Sequence, residues 1–196
     1  MLRVRRLFGT KVQGQLGTLD YRCFFVSQGD EIASFWKDLS LTVKNKYDEE
    51  RYPLLHFVNE IPKGSTLKME VCLEEPWHPI KQDEKKGVPR VFKAGPIPFN
   101  YGLLPQTWED PNHVVPDTGF PGDGDPVDVV ELSDEPMGIG SIAEIKLLGV
   151  LAMIDQGETD WKIIGIKASH PKAALLTCES RSFVFSSCCV FSDSKC

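Results

Sequence analysis

Three carboxylates crowd one short stretch of this chain. In Gly122-Asp-Gly-Asp-Pro-Val-Asp128, the side chains of Asp123, Asp125 and Asp128 lie within six residues of one another. Gly122 and Gly124 make the backbone permissive, so the carboxylates can converge without Cβ clashes. Pro126 stiffens the exit, and Val127-Asp-Val-Val130 runs on into a strand. Asp123 and Asp125 have i,i+2 spacing and would share a face in extended chain. Grouping like charges is unfavourable: two carboxylates ~4 Å apart repel by ~4 kcal/mol at an effective dielectric near ~20. A hard divalent cation removes that cost and prefers oxygen ligands. The loop is not an EF-hand, because no Glu stands at its twelfth position. Alone, the cluster says only that a divalent cation could bind.

Other polar groups have bland readings when taken singly. Asp155-Gln-Gly-Glu-Thr-Asp160 follows an apolar strand and reads as a solvated hairpin turn. Glu60, Lys68 and Glu70 form another group. Lys68 and Glu70 are i,i+2 on a strand and face the same way, which by itself gives a weak surface ion pair. Arg90 alone is a surface arginine, and Tyr101 in Asn-Tyr-Gly a turn aromatic.

The elements that must hold these groups are short strands punctuated by Gly and Pro. Strands are expected at Leu19–Val26, His56–Ile61, Leu67–Leu73, Asp125–Leu132, Ala143–Ile154 and Trp161–Lys167. Lys85-Lys-Gly87 is a hairpin turn leading into Arg90-Val-Phe92. No long amphipathic helix and no repeat is seen, so an all-β barrel or sandwich is expected. The 196 residues fit one domain, with 41% apolar and 26% charged residues, which allows an ordinary core. A net charge of -6 argues against nucleic-acid or anionic-membrane partners, which need basic faces. No apolar run approaches the ~18 residues of a membrane helix; the best, Leu147–Ile154, reads as a buried strand. Met1–Phe8 reads as a disordered basic end, the alternative being the stub of an organelle transit peptide. Six cysteines show no paired zinc spacing and are expected reduced.

Taken together, the segments resemble the family I soluble inorganic pyrophosphatases, in particular the eukaryotic and plastid type. Gly122–Val130 resembles that family's three-Asp signature. Asn100-Tyr-Gly-Leu-Leu-Pro-Gln-Thr-Trp-Glu-Asp-Pro111 and Asp155-Gln-Gly-Glu-Thr-Asp-Trp-Lys162 resemble two further hallmarks. Val58-Asn-Glu-Ile-Pro62, Lys68-Met-Glu70 and the stretch Pro79–Gly87 follow in the family's order. The resemblance implies a mainly β (α+β) fold, an OB-like five-stranded barrel with few short helices, over residues 11–171, after an end of residues 1–10. It implies Mg²⁺-dependent hydrolysis of pyrophosphate to two phosphates by a metal-activated water, with three or four ions. By the same resemblance, Asp123, Asp128 and Asp160 bind the primary metals, and Glu70 and Asp155 hold further ions. Asp125 is the general base, Lys68, Arg90, Tyr101 and Lys162 bind phosphoryl oxygens, and Glu60 is a supporting acid behind them. A cytoplasmic homodimer or monomer is expected, the alternative compartment being plastid or mitochondrial matrix.

The sequence also departs from the pattern. Gly95-Pro-Ile-Pro-Phe99 and Lys37 differ from the family's usual residues at their places. Beyond Ser169-His-Pro171 the match dissolves into a Ser- and Cys-rich tail, residues 172–196, in which Phe183 and Phe185 alternate. Tyr101 is the last tyrosine, so the family's later phosphate-binding tyrosine has no counterpart, and its C-terminal helix is expected to be missing. The tail reads as non-homologous sequence, or else as a lineage-specific end. The competing expectation for function is therefore a catalytically impaired remnant that binds metal or pyrophosphate without turnover.

Overall fold

A computed structural model describes residues 8–27, 29–49 and 52–176. The expected strands are there, and several shorter ones join them. In chain order they are β1 (Gly9–Gln13), β2 (Arg22–Val26), β3 (Ile32–Ala33), β4 (Thr42–Tyr47), β5 (Pro53–Ile61), β6 (Met69–Val71) and β7 (Ile80–Gln82). A small hairpin of β8 (Glu84–Lys85) and β9 (Val88–Pro89) follows, then β10 (Asn100–Leu103), β11 (Asp128–Glu131), β12 (Ile142–Asp155) and β13 (Glu158–Lys167). Among the described residues the only helical turn is a 3₁₀ turn at Ala173–Leu175.

Five of these strands close on themselves. The six-stranded sheet runs β10-β11-β13-β12-β5-β4, and β10 also pairs with β5. The circuit β5-β10-β11-β13-β12-β5 is thus a closed barrel with β4 attached outside. All its pairs are antiparallel except β11 with β13. Numbered one to five along the chain, the strands meet in the order 1-2-3-5-4-1 with the third and fifth parallel, which is the OB connectivity expected from sequence. A second antiparallel sheet, β1-β2-β7-β6 with β3 beside β2, packs against the barrel.

Two apolar clusters fill the structure. One joins the second sheet to the barrel through Tyr21, Cys23, Phe25, Phe35, Val58, Met69, Ile80 and Leu103, with Phe25 and Phe35 stacked at 5.3 Å. The other holds Leu41, Leu55, Phe57, Leu104, Val127, Val129, Ile145 and Ile163. Phe57 and Val58 are neighbours in β5 yet belong to different clusters, because successive strand residues point to opposite faces. Strand β5 is buried on both faces, its apolar pairs Leu54-Leu55 and Phe57-Val58 each dividing between the two sides, with Asn59 and Glu60 buried at its end.

Several boundaries differ from the sequence reading. Leu19 and Asp20 lie in a turn closed by Tyr21 N donating to Thr18 O, so β2 starts only at Arg22. The Leu67–Leu73 strand narrows to Met69–Val71. The acidic stretch becomes strand only from Asp128, and Asp123 and Asp125 do not share a strand face. The Asp125 amide instead donates to Asp123 Oδ1 at 2.9 Å, folding the segment into a turn. Strand β1 begins at Gly9, inside the end expected to be disordered. The run Leu147–Ile154 is not buried: Leu151 and Ile154 are 52% and 54% exposed. Residues 1–7 and most of the Ser/Cys-rich tail lie outside the described residues.

The β10–β5 seam leaves no room for a side chain at Gly102. A Cβ there would fall 2.0 Å from Val58 O and 2.8 Å from Glu60 N. The pairing shifts register between Tyr101 and Gly102, so this contact sets how Tyr101 lies beside the end of β5. Gly149 in β12, by contrast, faces open space. Gly102→Ala is expected to destabilise the fold by about 1–3 kcal/mol or more, as overpacking does, and Gly149→Ala by no more than about 0.5 kcal/mol. Paired urea titrations check this; equal midpoints would remove the seam's special role.

Candidate active site

One end of the barrel gathers the polar side chains. The acidic loop is held there by backbone bonds from the Gln106–Asp110 stretch rather than by strand pairing. Glu109 N donates to Asp125 O and Gly124 N donates to Glu109 O, both at 2.9 Å. Gly122 N donates to Asp110 O at 3.1 Å, and Trp108 Nε1 donates to Gly124 O at 2.9 Å. A Cβ on Gly122 would lie 2.4 Å from the Glu109 carbonyl carbon, so glycine is what lets the two stretches meet. Parallel pairing then sets Asp128 of β11 directly beside Lys162 of β13.

These residues border a cleft of about 290 Å³. Glu60, Lys68, Glu70, Tyr101, Asp125 and Asp128 supply its polar wall, and Met69, Phe92, Ile97 and Phe99 an apolar one. Lys162 Nζ sits between Asp128 and Asp160 and donates to both, while the Tyr101 hydroxyl donates to the same Asp128 oxygen. On the same polar wall Lys68 Nζ contacts Glu70 at 3.0 Å and Asp83 at 2.7 Å. Asp83 also accepts from Arg90 Nη1 at 2.6 Å, so Arg90 joins the cleft through Asp83.

Burial, reinforced by neighbouring charge, shifts the carboxyls of Glu60, Glu109, Asp123, Asp125 and Asp128 upward. Asp125 is pushed up to about 7, first by the partial enclosure of the cleft and then by Asp123, Glu70 and Asp128, although its side chain remains reachable from solvent. Asp128 rises to about 6; burial raises it, and Lys162 and Tyr101 hold it from rising further. Burial, then Asp128, pushes Glu60 well above the carboxylate range; its Oε1 accepts the Val71 amide at 2.6 Å. Burial and Asp128 likewise raise the Tyr101 phenol. For Lys68 and Lys162, burial favours the neutral form, but their carboxylate neighbours outweigh it and raise both ammonium groups.

The structure therefore brings ten of the eleven sequence-selected residues into one connected region. Asp123 joins it through Asp125 and through repulsion with Asp160. Asp155 stands apart. It is exposed at the end of β12, and its carboxylate meets Gln156 Nε2 at 3.4 Å. Register still points it toward the site. Asp155 pairs with Glu158 and Met153 with Asp160, so Asp155 shares the sheet face of Asp160 and lies diagonal to it.

Two buried acids of this region escaped the sequence reading. Asp83 is 6% exposed and links Lys68 to Arg90. Glu109 is 2% exposed, and both its carboxylate oxygens accept the Trp161 amide, at 3.1 and 3.2 Å. Burial, followed by Asp123, lifts Glu109 to about 9. Both lie within motifs quoted above, but only the fold shows that their side chains turn inward.

Comparison with known proteins agrees with this geometry. The family model described as Inorganic pyrophosphatase matches residues 57–181, running past Pro171, where the recognisable motifs stop. Inorganic pyrophosphatase 1 of Caenorhabditis elegans is 47% identical over 165 residues, covering 82% of this chain and 37% of that protein. The type I inorganic pyrophosphatase of Toxoplasma gondii superposes with a TM-score of 0.80 at 40% identity, covering 87% of this chain and 73% of that one. The truncated vacuolar soluble pyrophosphatase of Trypanosoma cruzi, solved in complex with PPi, also gives 0.80, at 37% identity, covering 87% and 68%. The chain spans about half the length of the curated relatives it matches. By family match, by identity and by fold, the chain belongs to the inorganic pyrophosphatase family.

Proposed function

We propose that this chain hydrolyses inorganic pyrophosphate to two phosphates with bound divalent cations, Mg²⁺ foremost. The observation that carries the reading is that Lys68, Asp125 and Asp128 line one cleft, with Lys162 and Asp160 joined to them through Asp128, Arg90 through Asp83 and Asp123 through the Asp125 amide. A purely anionic cleft would repel pyrophosphate, and a purely cationic one would need no carboxylates.

The residues fit hard cations. As placed, no three acidic side chains among the described residues converge on one point. Lys162 Nζ occupies the space between Asp128 and Asp160, where its single charge is shared by two carboxylates. Asp123, Asp125 and Asp128 are raised first by burial and then by the remaining repulsion from neighbouring carboxylates. All-oxygen donors under mutual repulsion are what a hard divalent cation relieves. Asp123, Asp128 and Asp160 would hold the primary ions, with Glu70 and Asp155 for further ones. When bound, such cations neutralise phosphoryl oxygens and acidify water.

The chain's own residues would do the rest. Lys68 and Lys162 act as point charges on phosphoryl oxygens, and Arg90 offers a planar fork. The Tyr101 hydroxyl, now spent on Asp128, can donate to substrate. Asp125 stands at the mouth within the acidic turn and is placed to take the proton of the attacking water. Asp83 holds the Lys68 and Arg90 heads together, and Glu60 braces β6 through the Val71 amide.

Phosphate release from pyrophosphate with Mg²⁺ tests the reading. Asp125→Asn is expected to lower kcat by roughly 10²–10⁴-fold, the usual range for a general base, while Mg²⁺ still raises its melting temperature. No release above blank from folded wild-type chain would overturn the proposal.

The raised carboxyls give a second prediction, for metal-free protein. A carboxyl whose folded pKa lies above its unfolded value keeps its proton longer in the folded state. The folded chain then binds more protons, and stability falls as pH rises. With Asp128 near 6, Asp125 near 7 and Glu109 near 9, the fall spans the neutral range. Melting temperature is expected to be lower at pH 8 than at pH 6 in EDTA. Saturating Mg²⁺ should narrow the gap, and Asp125→Asn should reduce it without metal. A melting temperature that climbs with pH in EDTA would contradict the assigned electrostatics.

A further inference from the structure

The most exposed apolar feature is an open sheet edge. Strand β12 pairs with β13 from Ile145 to Asp155 but with β5 only from Ile142 to Ile145. Past Lys146, no backbone group among the described residues meets the outer edge of β12. That edge is Leu147-Leu-Gly-Val-Leu-Ala-Met-Ile154, without a charge or a proline. Val150, Leu151, Met153 and Ile154 are 37%, 52%, 37% and 54% exposed. Cross-strand register puts Val150 and Ile154 on the face of Ile163 and Thr159, and Leu151 and Met153 on the face of Lys162 and Asp160. Strand β12 itself therefore shows apolar side chains on both faces from Val150 to Ile154, although Lys162 and Asp160 of β13 share the face of Leu151 and Met153, and among the described residues its outer edge carries unpaired amides and carbonyls. Natural proteins cover or charge such an edge, because it templates pairing with another strand.

The chain itself leads to this edge. Lys146, 3% exposed, is the last residue before the open run. Its Nζ donates to Glu49 Oε2 at 2.7 Å and to the Ala173 carbonyl at 3.1 Å. The turn at Ala173–Leu175 is thus tied to the base of the open edge, on the side of the β4–β5 connection that carries Glu49. Twenty residues, 177–196, follow the last described one. Five of them can span up to roughly 16 Å at ~3.3 Å per residue, bringing Ser182-Phe-Val-Phe-Ser186 alongside. As a strand, that stretch would turn Phe183 and Phe185 to one face and Val184 to the other, which suits an edge strand with apolar side chains on both faces.

We propose that residues 182–186 add as a strand to the outer edge of β12. The competing occupant is the same edge of a second copy. The tethered segment is favoured because its effective concentration is on the order of millimolar, above ordinary protein concentrations.

Hydrogen exchange resolved by NMR on the full chain tests this. In wild type the outward-facing amides between Leu148 and Ile154 are expected to be protected. In the double variant Phe183→Asp, Phe185→Asp they should exchange at least ~10-fold faster, while the inward amides of β13 keep their rates. Should that variant not fold, wild type alone decides: nuclear Overhauser contacts from the Phe183 or Phe185 rings to Leu151, Met153 or Ile154 are expected, independent of concentration. Equal exchange in the two chains, or absent contacts, would overturn the proposal. So would protection that grows with protein concentration alongside a dimer by light scattering, which assigns the edge to a second copy.

Discussion

Mutual repulsion among carboxylates is the constraint around which this structure is arranged. Asp123, Asp125, Asp128 and Asp160 cannot stand close together in a half-buried cleft unless something positive stands between them. In the chain alone, Lys162 does part of that work, bridging Asp128 and Asp160 from the neighbouring strand. Elsewhere in this region the roles invert, with buried Asp83 drawing Lys68 and Arg90 together. On the proposed reading, an anhydride of two phosphates would need cations to approach the aspartates and would find donors in Lys68, Arg90 and Lys162.

The barrel circuit is what makes this arrangement reproducible. Asp128 and Lys162 face each other because β11 and β13 run parallel in register. Tyr101 reaches Asp128 because β10 lies between β11 and β5, at a seam that only glycine permits. Glu60 closes β5 and bonds to the Val71 amide, tying the barrel to the second sheet at the point where Lys68 and Glu70 emerge. Tyr101, Asp128 and Lys162 thus sit on strands fixed by two neighbouring ladders each. Repulsion that would splay a loop apart is spread across the closed sheet.

What the sequence made legible follows from how local each feature is. The three-Asp stretch is visible because its members are adjacent, and the ordered motifs carried a family resemblance that includes the OB barrel. Alternation and turn residues located the three longest strands, β5, β12 and β13, but not β4 or β10. Asp83 and Glu109 were not picked out, since nothing local distinguishes an acid turned inward from one in solvent; only closure of the sheet decides. The turn at Asp123–Asp125 was read as extended because i,i+2 spacing says nothing about an aspartate oxygen capturing the amide two residues on. Leu147–Ile154 was read as buried because an apolar run reports what a strand could bury, not whether a neighbour is present. There β5, antiparallel to β12, starts too late to cover it.

That same late start of β5 leaves the acids of this region unequally held. Asp128 is gripped by Tyr101 and Lys162 and flanked by strands on both sides, whereas Asp155 sits at the tip of a hairpin with one neighbour. Segments with few buried contacts open at low free-energy cost. Asp128 is therefore pre-organised by the barrel, and in its proposed role Asp155 would be ordered only when a cation binds between it and Asp160. Strand pairing at the outer edge of β12 would stiffen this hairpin and lower that ordering cost, since the strand with the apolar edge also carries Asp155.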